Sequence, residues 1–193
     1  MIRGIIFDLD GTITKPYIDF RRLQKELGTK GPILEFIESL EGKDKKKAYE
    51  ILDTFELDAA KNSELNENVK EVLQNLHKRK FFTAILTRNK RDSVDYIMDK
   101  HQIYFDTVFT RDDAPPKPAP DAIFMICRRW KIEPKNVIVA GDYIYDIEAG
   151  RKAGCKTILL RNLKHPISVK VDADYEIFDF KEILKIVDSL KVL

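Results

Sequence analysis

Apolar residues recur along this chain in two rhythms. Short, nearly continuous runs rich in β-branched residues stand at 2–7, 81–86 (FFTAIL), 105–109 (FDTVF), 136–140 (NVIVA), 157–160 (TILL) and 175–178 (YEIF). Runs of that length and content mark strands covered on both faces. Between them the spacing lengthens to the helical period: Val69, Val72, Leu73 and Leu76; Val94, Ile97, Met98 and His101; Ala122, Ile123, Ile126, Cys127 and Trp130; Phe180, Ile183, Leu184 and Val187. Strands alternating with ten-residue helices predict βαβ units. The expected fold class is therefore α/β, a doubly wound parallel sheet of about five to six strands with helices on both faces.

Residues 15–62 break the rhythm. They carry no strand pattern and read as helices punctuated by Gly28, Gly31-Pro32 and Gly42. The expected organisation is a core of residues 1–14 and 63–193 with a small α-helical cap, 15–62, inserted after the first strand. The basic run Lys43-Asp44-Lys45-Lys46-Lys47 reads as a solvated helix start, because the segment balances ten basic against ten acidic side chains.

Charge narrows the partners. The whole chain carries 34 basic and 32 acidic side chains, a net charge of +2, which calls for neither nucleic acid nor an anionic membrane. No apolar stretch approaches the ~20 residues of a membrane span. No secretory leader is visible: the apolar start is broken by Arg3 and closed by Asp8. The two cysteines, Cys127 and Cys155, belong to no metal-binding spacing and read as reduced, buried thiols of a cytoplasmic protein.

The chemistry-bearing residues fall where strands end. In an open parallel sheet, ligands bind at the carboxyl edge. The first strand ends at Asp8 and Asp10, the second at Thr87, Arg88 and Asn89. The loop after the third contains Lys117, and the fourth ends at Asp142 with Asp146 one turn on. Four converging carboxylates repel one another unless a hard cation intervenes, and all-oxygen ligands suit Mg²⁺. With a lysine, a hydroxyl and loop amides beside them, the site suits a phosphate dianion. A carboxylate there can act as nucleophile. His77, His101 and His165 lie away from the strand ends. Arg21, Arg22 and Lys30 are the cap residues that could meet a substrate.

These motifs resemble those of the haloacid dehalogenase superfamily, in its phosphoglycolate phosphatase and β-phosphoglucomutase branch. FDLDGT at 7–12 looks like its first motif, LTRN at 86–89 the second, KPAPD at 117–121 the third and GDYIYDIEAGRKAG at 141–154 the fourth. The insert sits where that family carries a helical C1-type cap, but is shorter than the usual four helices. The resemblance implies a Rossmann-like core with Asp8 as nucleophile and metal ligand. It makes Asp10 the general acid/base, with its backbone carbonyl on the metal. Thr87 would bond the transferring phosphoryl group, and Arg88 would bind substrate. Lys117 would neutralise charge on Asp8 and the phosphate. Asp142 would ligate Mg²⁺, and Asp146 would assist or hold Lys117.

The implied function is a Mg²⁺-dependent phosphatase acting on a small-molecule phosphomonoester through an aspartyl-phosphate, as a monomer or homodimer. Two alternatives stand beside it: a phosphomutase of the β-phosphoglucomutase type, and a catalytically inactive binding protein of the same fold.

Overall fold

A computed structural model describes residues 1–162 and 171–190. Six strands form one parallel sheet: β1 (Gly4–Phe7), β2 (Phe82–Leu86), β3 (Thr107–Phe109), β4 (Val137–Gly141), β5 (Lys156–Leu160) and β6 (Tyr175–Ile177). Their spatial order is β3-β2-β1-β4-β5-β6. Each strand stands where an apolar run predicts one, with ends shifted by a residue or two. The first strand is central: Phe7 registers with Ile85 of β2 on one side and Ala140 of β4 on the other.

Side chains alternate across the sheet, as the two-residue strand period requires. Ile5, Phe7, Ile85, Ile138 and Ile158 pack on one face with α4 (Val69–Lys78), α5 (Arg91–His101) and α8 (Glu182–Ser189). Ile6, Ala84, Leu86, Val137 and Val139 pack on the other with α6 (Asp121–Trp130) and α7 (Ile144–Ala153). The sheet is thus sealed on both sides. Each fully buried Ile, Val or Phe contributes roughly 1.5–3 kcal/mol, so Phe7→Ala would cost about 3–5 kcal/mol. Cys127 and Cys155 are both buried and free within the second cluster. Trp130 is also buried there. Its ring stacks on Phe82, and it lies so close to Gly4 that a Cβ at that glycine would fall 2.6 Å from it.

Crossovers before β2 and β3 lie on one face, and those flanking β4 lie on the other. The order therefore reverses beside β1, which places a crevice at the carboxyl ends of β1, β2 and β4.

The insert carries three helices and no strand, as its composition predicts: α1 (Phe20–Leu27), α2 (Ile33–Glu38) and α3 (Gly42–Asn62). The side chain of Asp19 caps α1 by accepting the Arg22 N–H at 3.0 Å. Gly28, left-handed at φ 74°, ends that helix. Leu23, Leu34, Ile37, Ala48 and Leu52 form a separate small core. The lysines of 43–47 lie at the start of α3, exposed or half-exposed, as expected of a solvated helix start. Helix α3 is docked on the core. Arg111 pairs with Asp53 at 2.5 Å and with Glu56, and the Lys100 ammonium caps the Lys61 and Ser63 carbonyls at 2.7 and 2.8 Å. Among the described residues no helix is long and apolar enough to cross a membrane.

Candidate active site

The chain leaves β1 at Asp8, whose N–H still bonds the Ala140 carbonyl of β4 at 2.9 Å. Leu9 is fully buried, and its carbonyl receives the N–H groups of Ile13 and Thr14 at 2.8 and 2.9 Å, closing a tight turn. Gly11 takes φ +86° in that turn, and a Cβ there would sit 2.0 Å from an Asp142 oxygen. The loop from β1 and the loop from β4 can approach this closely only because the residue is glycine. Gly141 is required in the same way, since its Cβ would meet the Asp146 carboxyl at 2.2 Å.

Lys117 arrives from the loop between β3 and α6 and is buried. Its ammonium donates to Asp8 Oδ1 at 2.5 Å and to Asp146 Oδ1 at 2.6 Å. Burial alone would lower the lysine pKa, but Asp146 and Asp8 outweigh it and keep the ammonium firmly charged. Asp146, in the first turn of α7, spends its other oxygen on the Tyr143 N–H at 3.0 Å. Both its oxygens are therefore committed, and it orients Lys117.

Asp10 lies apart from that pair. Asn89 donates to its Oδ2 at 2.6 Å and Thr14 to its Oδ1 at 3.3 Å. Burial lifts its carboxyl above the ordinary range, and these two hydrogen bonds pull it partway back. Asp8 is pushed up to about 7 by burial and by Asp146 and Asp10, against the pull of Lys117. Asp142 is raised well above its ordinary value by burial and by repulsion from Asp8 and Asp146. Thr87 is buried, and its hydroxyl oxygen accepts the Asn89 N–H at 3.2 Å, leaving its proton free to donate.

These residues line the floor of a cavity of about 550 Å³ roofed by the insert. The sheet thus brings all of the sequence-predicted strand-end residues to one place. Arg88 also lines the cavity, but its guanidinium is engaged. It donates to both oxygens of Glu35 on α2 and to the Lys117 carbonyl, and lies 4.9 Å from the Tyr145 ring centre. Of Arg21, Arg22 and Lys30, Lys30 lines the cavity, whereas Arg22 stacks over Phe55.

A family model described as haloacid dehalogenase-like hydrolase matches residues 21–160, more than half of the chain. The chain belongs to the haloacid dehalogenase-like hydrolases. A pyrophosphatase PpaX from Bacillus velezensis is 32% identical over 81% of this chain and 82% of its own length. A phosphoglycolate phosphatase from Vibrio vulnificus is 31% identical over 72% of this chain and 64% of its own. A crystal structure of a hydrolase from Pseudomonas syringae superposes with a TM-score of 0.80 at 18% identity, covering 97% of this chain and 98% of that one, and shares its fold.

The carboxylate cluster of this haloacid dehalogenase-like hydrolase fits a divalent cation. Asp8, Asp142 and Asp146 each bring an oxygen within 4.8 Å of the others, although both Asp146 oxygens already accept hydrogen bonds. Asp142 accepts no hydrogen bond among the described residues. Asp8 Oδ2 and the Asp10 backbone carbonyl are likewise uncommitted. Hard oxygen donors with raised pKa values and no proton donor are what a cation such as Mg²⁺ satisfies.

Other residues of the site carry no motif. Asn66, at the return from the insert, reaches the carbonyls of Gly11, Thr12 and Thr14 at 3.0, 2.9 and 3.2 Å and clasps the turn that presents Asp10. Nothing in its neighbourhood in the chain marks it. Asn89 was legible as part of a strand end, but its bond to Asp10 required the fold. His77 bonds Thr83 at 2.9 Å and His101 bonds Ser63 at 2.8 Å, both outside the cavity lining. His165 lies outside the described residues.

Proposed function

We propose that this hydrolase is a Mg²⁺-dependent phosphatase that cleaves a small-molecule phosphomonoester through an aspartyl-phosphate on Asp8. Residues 1–14 and 63–193 would act as a cytoplasmic catalytic core and 15–62 as its cap. The observation that carries this reading is the division of labour between the two aspartates. Asp8 is held by the Lys117 ammonium with one oxygen uncommitted, while Asp10, partly buried, is held by neutral donors, Asn89 and Thr14.

Mg²⁺, held by Asp8, Asp142 and the Asp10 carbonyl, would neutralise charge on the phosphoryl oxygens. Asp8 Oδ1, the oxygen beside the Lys117 ammonium, attacks phosphorus as the bond to the leaving oxygen breaks. Asp10, whose carboxyl burial shifts toward the protonated form, donates its proton to that oxygen. Lys117 and the Thr87 hydroxyl face the added negative charge of the phosphoryl group. Asp10, now a carboxylate, takes a proton from water. The water oxygen attacks phosphorus, the bond to Asp8 breaks and phosphate leaves.

Tyr17, Phe20 and Tyr143, which line the cavity, remain 50%, 56% and 49% exposed, so water has access; this favours hydrolysis over phosphoryl return to a second substrate. The relatives named for pyrophosphate and phosphoglycolate hydrolysis support the same chemistry. Phosphate release from p-nitrophenyl phosphate tests it. Turnover should vanish in EDTA and return with Mg²⁺, and full activity in EDTA would overturn the metal assignment.

A further inference from the structure

We infer that the phosphomonoester taken by this site carries a flat aromatic ring on its leaving group, bound among Tyr17 and Phe20 of the insert and Tyr143 and Tyr145 of the core. The inference rests on the phosphatase reading and narrows its substrate class.

Three of the seven aromatic side chains that stay exposed among the described residues, Tyr17, Phe20 and Tyr143, line this one cavity. Exposed aromatics gathered at a concave site mark a place where an apolar ligand docks. The core side is pre-set: Tyr143 and Tyr145 meet edge to face with centroids 5.1 Å apart, and Arg88 lies over Tyr145. The insert side is uncommitted. Among the described residues Tyr17 and Phe20 have no ring or cation partner and the Tyr17 hydroxyl has no hydrogen-bond partner. A bound ring supplies what these two side chains lack.

The charges argue against a small anionic leaving group. A carboxylate or second phosphate beside the scissile phosphate needs an unpaired, buried cation in the cavity. Lys117 is spent on Asp8 and Asp146, and Arg88 is spent on Glu35. The remaining ammonium, Lys30, stands exposed on the loop between α1 and α2. About 550 Å³ is also ample for a ring-bearing ester.

The test uses the full chain with Mg²⁺ and two esters of closely matched leaving alcohols, benzyl phosphate and ethyl phosphate. Phosphoglycolate, pyrophosphate and acetyl phosphate are run alongside. Benzyl phosphate should exceed ethyl phosphate, phosphoglycolate and pyrophosphate by about tenfold or more in kcat/KM, the scale of one aromatic contact. In Tyr17→Ala and Phe20→Ala the benzyl-to-ethyl ratio should fall severalfold, mainly through KM. Tyr17→Phe and Phe20→Tyr, which keep the ring, should retain it. Equal kcat/KM for the two esters, a lead for phosphoglycolate or pyrophosphate, or a ratio untouched by both alanine variants would overturn the inference. If acetyl phosphate is hydrolysed and Asp8→Asn abolishes that turnover, such a failure strikes the ring alone. If the parent releases phosphate from none of the five, the phosphatase reading fails with it.

Discussion

The Arg88 guanidinium, at the end of β2, grips both carboxylate oxygens of Glu35 on α2 at 2.9 and 2.7 Å. Nη2 makes both contacts while Nη1 donates to the Lys117 carbonyl, and the charge-assisted pair ties the insert to the floor of the cavity. Helix α3 has separate ties, with Arg111 and Lys90 both reaching Asp53 and Arg111 also reaching Glu56. The two attachments should therefore loosen separately. In Glu35→Gln, amide hydrogen exchange should quicken across residues 33–38 and stay unchanged across the middle of α3. Equal acceleration in both helices would show that the insert opens as one body.

The covalent step is open to direct capture. Asp8→Asn should leave no detectable turnover and no added phosphoryl group after acid quenching. Asp10→Asn should still form some phosphoenzyme from p-nitrophenyl phosphate, whose leaving group needs no acid, but hydrolyse it slowly. Mass spectrometry of the quenched protein checks both. A phosphoryl group on Ser, Thr or His would reject the mechanism.

Removing the Lys117 charge should cost both activity and stability. In Lys117→Met the partly buried Asp8 and the buried Asp146, 2.5 and 2.6 Å from the ammonium in the parent, lose their counter-charge. Breaking a buried ion pair in this way costs about 3–5 kcal/mol. Without the ammonium to stabilise the phosphoryl group, kcat should fall by about 10²–10³. Urea unfolding in EDTA at neutral pH and steady-state kinetics measure the two losses; an unchanged unfolding midpoint would contradict the ion-pair account.

Glu56 makes stability depend on pH. Burial pushes its carboxyl from 4.5 up to about 7, despite Arg111 beside it. Below pH 4.5 the group is protonated in both states. Between there and about 7 the unfolded chain gives up the proton and the folded one retains it, so the folded state is progressively penalised as pH rises. The full interval is worth up to about 3 kcal/mol. Glu56→Gln removes this proton linkage. From pH 5 to pH 8 the parent should therefore lose more stability than the variant, and parallel unfolding curves across that range would refute the assignment.

The alternation of apolar runs and helical spacings determined the sheet and its helices, because each strand and helix must bury a face and the period shows which. The strand-end positions of Asp8, Asp10, Thr87, Lys117, Asp142 and Asp146 were legible for the same reason: a parallel sheet delivers its carboxyl ends to one edge. The helical character of 15–62 was legible from Gly28, Gly31-Pro32 and Gly42, which interrupt an otherwise strandless segment. What only the tertiary structure decided is which side chains meet. Glu35 and Arg88 stand 53 residues apart, Asn66 lies 52 to 55 from the carbonyls it clasps, and Arg111 lies 55 from Glu56. No local period encodes such pairings. They follow from how the insert folds back over the sheet, and they determine which of the cavity's charges remain available to a substrate.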